Sequence, residues 1–174
     1  MIVKRCSITT LKVDVIVNAA NPSGLGCFRS DHNCIDNVIH REAGQLLHEE
    51  CKQIMKGGKL HSYPIITKGY NLSCKNIMHV VGPQIIDKIT EYAIIHLWLL
   101  YQLSNRGSKN KAKTIAFPCI STGLYRFDNS MACDIAYNAV STFLSDNSDI
   151  DLTVIFNVFT DLDERLYRKK LNLD

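Results

Sequence analysis

The sequence predicts an α/β fold, a three-layer α/β/α sandwich, on three observations. Short β-rich runs alternate with longer segments suited to helices along the chain. The runs are apolar at nearly every position, which is the pattern of strands covered by helices on both faces rather than on one. Two of them end in loops rich in Asn, Ser, Thr and Gly, and in this architecture ligands bind in a crevice beyond the strand ends.

In chain order, "MIVKRC" (1–6) reads as an edge strand, followed by "VDVIVN" (13–18), "PIIT" (64–67), "IMHVV" (77–81), "TIAFPCI" (114–120) and "LTVIFNVF" (152–159). Helices are expected at 34–55, 88–106, 129–145 and 161–171, each placed between strands or after the last one. Asp128 or Asn129 would cap the third and Thr160 the fourth, because their side-chain oxygens can accept from the unpaired N–H groups of a first turn.

A length of 174 residues suits one domain, 1–174, with a full core. With 46% hydrophobic and 21% charged residues the chain should fold by itself. The formal charge of +3 is mild, and the nearest basic cluster, "NRGSKNKAKT" (105–114), is interrupted by Gly and Ser, so a solvated loop is expected and no specific nucleic-acid partner. No run reaches the roughly 18 apolar residues of a membrane span, and "MIVKRCSITT" lacks the regions of a secretory signal. A cytoplasmic monomer without a membrane partner is therefore expected. Seven scattered cysteines, an odd number, fit reduced thiols rather than a disulfide framework.

Two loops are candidates for chemistry. "NAANPSGLG" (18–26) runs directly into "CFRSDHNCIDNVIH" (27–40), where Cys27, His32 and Cys34 put two thiols and an imidazole at the entry to a helix. Zinc favours such a mixed N/S set, and three protein ligands instead of four mark an open, catalytic site. A helix start nearby should lower the thiol pKa. The spacing C-x4-H-x-C is not a standard zinc spacing, so the residues by themselves leave coincidence open. In the second loop, "CISTGLYRF" (119–127), Ser121, Thr122 and Gly123 offer N–H groups and hydroxyls suited to a diphosphate, or form a simple strand-to-helix turn.

The order of "VDVIVNAAN", "IDNVIHREAG", "HVVGP", "IAFPCISTGLY" and "VIFNVF" resembles that of macrodomains, the ADP-ribose-binding α/β module, from about Ile8 to Tyr167. The resemblance implies a mixed central sheet. Ordinary macrodomains carry a glycine-rich "GGGVD" segment where this chain has "SDHNCID", and the cysteines and histidine there look like those of the zinc-dependent subgroup of protein-ADP-ribose hydrolases. The resemblance thus implies a zinc cofactor on Cys27, His32 and Cys34, and a substrate that is ADP-ribose or a mono-ADP-ribosylated protein, with linkage to Asp or Glu. An ADP-ribose reader with a structural zinc, and an O-acetyl-ADP-ribose deacetylase, are the alternatives.

Carried across by position, Asp36 would orient or activate water, with Asn21 as its catalytic companion. Asn18 and Asn21 would hold the loop and bond the distal ribose. Ser121, Thr122, Gly123, Leu124 and Tyr125 would wrap the diphosphate. Phe159 would stack on adenine, unless it is a core aromatic, and Asn157 would line the same pocket with Ser7 and Ile8. Ser7 stands where most relatives have the aspartate of "GDIT", so adenine recognition should be weaker, a hydroxyl lacking the charge assistance of a carboxylate. His40 and Asp31 are candidate fourth ligands, but His40 reads better as a packed histidine and Asp31 as a solvated one. The fourth position is left to water or substrate. Some relatives also carry an extra N-terminal segment, which is not expected here.

Overall fold

The computed structural model describes residues 1–60, 64–81, 112–120, 122–123 and 128–173. The elements are β1 (Ile2–Arg5), a 3-10 turn (Ile8–Thr10), β2 (Val15–Ala20), α1 (Ile35–Ala43), α2 (Gln45–Met55), β3 (Ile65–Lys68), β4 (Asn76–Val81), β5 (Thr114–Pro118), α3 (Asn129–Asp146), β6 (Thr153–Val158) and α4 (Asp161–Lys170). The expected helix at 88–106 lies outside the described residues. So does most of the basic cluster at 105–114.

The sheet order is β1-β6-β5-β2-β4-β3. Every neighbouring pair is parallel except β3 with β4, which makes the sheet mixed, as expected. Successive strand residues point to opposite faces. On one face Val15, Val17, Met78, Val80, Ile115, Phe117, Val154, Phe156 and Val158 pack with Cys133, Ala136, Ala139, Val140 and Phe143 of α3. On the other, Ile16, Ile77, Ala116 and Ile155 pack with Ile39 and Ala43 of α1 and with Leu47 and Cys51 of α2. Both faces are covered by helices and buried, which explains why the strands are mostly apolar rather than alternating. Among the described residues no helix is long and apolar enough to cross a membrane.

Two expectations need correction. The segment 34–55 is not one helix: Gly44, at φ 88°, closes α1 through its N–H to the His40 carbonyl (3.2 Å) and opens α2. A side chain there would strain the backbone and meet Asn71 Nδ2 at 2.8 Å, so the break is built into the packing. Strand β2 also runs on to Ala20, so Asn18 is a strand residue paired with His79 and not part of the loop. The caps agree with the reading: Asp128 accepts from Met131 N–H at 2.8 Å and Thr160 from Asp163 N–H at 3.1 Å.

Candidate active site

The two-residue period of the strands decides which polar groups reach α1. Asn18 shares the face of Ile16, and His79 that of Ile77, so both side chains point under α1 and are fully buried. Asp36, in the first turn of α1, descends toward them and is 3% exposed. Its position near a helix N-terminus suits a negative charge.

Asp36 Oδ1 accepts from Asn18 Nδ2 at 2.7 Å. Its Oδ2 accepts from Asn21 Nδ2 at 2.9 Å and from the Asn21 backbone N–H at 3.3 Å. The Asn21 amide donates its other hydrogen to the Gly26 carbonyl at 2.8 Å, while its Oδ1 accepts from Ser23 N–H at 2.9 Å and from the Ser23 hydroxyl. Asn21 thereby shapes the loop that follows β2. Asn18, expected at the distal ribose, lies behind Asp36 instead, because it sits two residues before the end of the buried strand β2. Asp36 is buried as well, 3% exposed, and its bonds to Asn21 make it a residue that orients Asn21.

Gly26 adopts φ 91°, and a Cβ there would fall 2.6 Å from His40 Cγ. His40 is therefore the floor of this turn and takes no part in the cysteine cluster above it, as the packed-histidine reading expected. Beyond Gly26 the loop brings together the ligand atoms of Cys27, His32 and Cys34, all within 4.8 Å of one another, with Cys27 Sγ 3.5 Å from His32 Nδ1. Asn37 steadies this loop by donating to the carbonyls of Cys27 (2.8 Å) and Arg29 (3.2 Å). Asp31 pairs with Arg29 at 2.9 Å on the exposed side and stays out of the cluster. Two sulfurs and an imidazole nitrogen converging at partly buried positions fit a zinc ion in both donor chemistry and reach.

The Cys34 thiol is pushed up, first by burial and then by the neighbouring Cys27 and Asp36, with only the Asn37 backbone N–H pulling it down. The start of α1 pulls it down through that N–H, as expected, but burial and the neighbouring Cys27 and Asp36 outweigh this pull.

A second grouping, His40, Cys51 and His79, is wholly buried beneath Asp36. Its chemistry does not suit an ion. Both His79 nitrogens are already bonded, to Asn18 Nδ2 at 3.1 Å and to Thr67 Oγ1 at 2.9 Å, and burial pushes the Cys51 thiol up to about 12.

The other expected residues gather at the ends of β1 and β6. Asn157 donates to the carbonyls of Lys4 (3.2 Å) and Cys6 (3.0 Å), tying the two strands together just before Ser7. Ser7 is exposed, its hydroxyl 2.6 Å from that of Thr9, while Ile8 is buried in the core. Phe159 is 80% exposed and is not a core aromatic. Thr122 donates to the Cys119 carbonyl at 3.2 Å, and among the described residues nothing lies within 4 Å of a Cβ placed at Gly123. Ser121, Leu124 and Tyr125 lie outside the described residues. Missing from the sequence reading were Thr67, His79 and Asn37; a histidine inside the apolar run "IMHVV" was the available signal.

With this geometry in place, the decisive comparison is with a family model, Macro domain, which matches residues 17–136. The chain belongs to the macrodomain family. This macrodomain is 41% identical over 179 residues to a Staphylococcus aureus (strain COL) protein named Protein-ADP-ribose hydrolase. The match covers 96% of this chain and 64% of that protein's length, so the chain spans less than two thirds of its relative. Among solved structures, the Oceanobacillus iheyensis macrodomain with ADP superposes with a TM-score of 0.85 at 29% identity, covering 98% of this chain and 89% of that one. A Trypanosoma brucei macrodomain in complex with ADP-ribose gives 0.82 at 31% identity, covering 97% and 68%.

Proposed function

We propose that this macrodomain hydrolyses mono-ADP-ribose from modified protein side chains, aspartate or glutamate esters, with ADP-ribose in the cleft beyond the strand ends and zinc on Cys27, His32 and Cys34. The observation that carries this reading is the convergence of those three ligand atoms within 4.8 Å on the loop that Asn21 and Asp36 shape. The name of the 41%-identical relative and the ADP-ribose complex of the Trypanosoma brucei protein support the activity and the ligand.

In the proposed reaction one water is consumed. Its oxygen bonds to the anomeric carbon of the distal ribose as the bond from that carbon to the ester oxygen breaks; one water proton stays on the new ribose hydroxyl, the other is released, and ADP-ribose and a free carboxylate leave. A zinc ion bound by the three side chains would supply a Lewis acid or a water of lowered pKa, moderated by two thiolates. The protein's own groups do the rest. Asp36 holds Asn21 in one orientation, Asn21 fixes the turn at Gly26, and that turn leads directly into Cys27. Orientation of this kind is a recognised source of rate enhancement. Phe159 offers an aromatic face to adenine, and Thr122 and Gly123 border the diphosphate.

The test combines metal analysis of the purified protein with ADP-ribose release from substrates of defined linkage. Stoichiometric zinc, release from aspartate or glutamate esters, and loss of release on chelation are expected. Binding of ADP-ribose without release from any linkage would overturn the hydrolase in favour of a reader, and turnover that survives full zinc removal would make the ion structural.

A further inference from the structure

The buried polar groups under α1 form a chain whose hydrogen bonds run in one assignable direction. Asn18 Nδ2 lies 2.7 Å from Asp36 Oδ1 and 3.1 Å from His79 Nδ1. Exchanging the oxygen and nitrogen of the Asn18 amide would set its oxygen against the carboxylate, so the nitrogen must face Asp36 and has a second hydrogen for His79. His79 Nδ1 is therefore the acceptor, its proton sits on Nε2, and that N–H donates to Thr67 Oγ1 at 2.9 Å. Neither Thr67, 1% exposed, nor His79, 0% exposed, can exchange these partners for bulk water.

We propose that His79, anchored by Thr67, is a positioning residue for the hydrolytic site. It holds the Asn18 amide in the one orientation that grips Asp36, and Asp36 in turn fixes Asn21 and the Gly26 carbonyl next to Cys27. Four elements converge through this chain: β3, β4, β2 and the first turn of α1. Its direction depends on His79 offering an acceptor toward Asn18. Burial keeps the ring neutral, with its pKa lowered to about 3, which is the state the acceptor role needs.

The role rests on the hydrolase reading for its kinetic test and on geometry for its spectroscopic one. His79→Asn places an amide oxygen near the Nδ1 position and keeps an acceptor for Asn18. His79→Gln keeps a donor toward Thr67 and more of the ring volume, but offers Asn18 no acceptor at that place. His79→Leu removes both. Supporting groups behind a reactive centre are typically worth about 10- to 100-fold, so Gln and Leu should lower kcat by that order while the calorimetric Kd for ADP-ribose stays within about threefold. Asn should recover most of the loss. A larger kcat for Gln than for Asn, or kcat and ADP-ribose affinity falling together, would overturn the role.

Nitrogen-15 spectra of the wild-type histidine rings provide the second readout, with His79 assigned by the signal lost in His79→Asn. A neutral ring protonated on Nε2 supports the chain, and a proton on Nδ1 overturns it; should His79→Asn fail to fold, the buried ring that stays neutral down to low pH and shares a hydrogen bond with the Thr67 hydroxyl gives the same assignment. Absence of any turnover in the wild-type protein would count against the hydrolase reading, leaving the tautomer to decide the chain.

Discussion

The Asn21 side-chain amide bridges the Asp36 carboxylate (2.9 Å) and the Gly26 carbonyl (2.8 Å), so one residue couples the N-terminus of α1 to the turn that carries the first cysteine. Asp36→Ala should release Asn21 and lower turnover far more than ADP-ribose affinity. Asp36→Asn, which keeps the shape but presents an amide hydrogen toward one donor, should fall between wild type and Ala. Steady-state kinetics beside calorimetric binding would check this, and equal losses in both would argue against an orienting role.

Gly26→Ala puts a methyl group at a positive φ and 2.6 Å from the buried ring of His40. Left-handed backbone and overpacking together predict a loss of about 2–4 kcal/mol. The urea midpoint should drop with little change in m-value. A stability equal to wild type would mean that the ring and turn are not in contact.

Zinc removal should abolish turnover while leaving most of the fold. The cysteine loop is also held by Asn37 at the Cys27 and Arg29 carbonyls and by Asn21 at Gly26, bonds that need no ion. Chelation, or Cys34→Ser, should therefore move Tm by only a few degrees, at about 2–4 °C per kcal/mol for a chain of this size. Global unfolding on chelation would assign the ion to stability.

The His79 pKa is depressed by burial, and to a lesser extent by His40, from 6.5 to about 3. Above pH 6.5 neither the folded nor the unfolded state protonates this ring, and stability is unaffected. Between 6.5 and 3 only the unfolded state binds the proton, so stability falls as pH falls, with a limiting slope of about 1.4 kcal/mol per pH unit. His40, also lowered by burial against the opposing pull of Asp36, acts in the same direction. Asp14 is lowered to about 2 because hydrogen bonds from Lys75, Lys113 and Thr114 outweigh its burial; its contribution is lost at still lower pH, between 3.8 and 2. Urea titrations from pH 7 to pH 4 should show a downward slope that is shallower in His79→Asn; an unchanged slope would reject the assignment.

Phe159→Ala removes an 80%-exposed ring, so stability should change by no more than about 0.5 kcal/mol. If the ring stacks on adenine, ADP-ribose affinity should fall by roughly 1–3 kcal/mol, the range measured for base–aromatic stacking. Unchanged affinity would remove Phe159 from the pocket.

Much of the fold was legible because strand burial leaves a direct mark on composition. Runs such as "VDVIVN" and "LTVIFNVF" are apolar at most positions because helices cover both faces, and Asp128 and Thr160 announce helix starts through local hydrogen bonding. The break at Gly44 was harder to read, since a lone glycine inside a helical pattern is often tolerated; here φ 88° and the nearby Asn71 make it a boundary. In the site, Cys27, His32 and Cys34 were legible because their chemistry is specific and their positions close in sequence. Asn18 was misplaced by one structural layer because the end of β2 is set by pairing with β4, a contact no local pattern records.

By itself the sequence determined the α/β layering, the family resemblance and the three candidate zinc ligands, all of which depend on residue type, periodicity and short-range spacing. Tertiary structure decided the direction in which those residues act. Strand parity and the β2/β4 register bring His79 and Thr67 under Asn18, and only that long-range pairing turns Asp36 inward to hold Asn21 and turns Gly26 over the ring of His40.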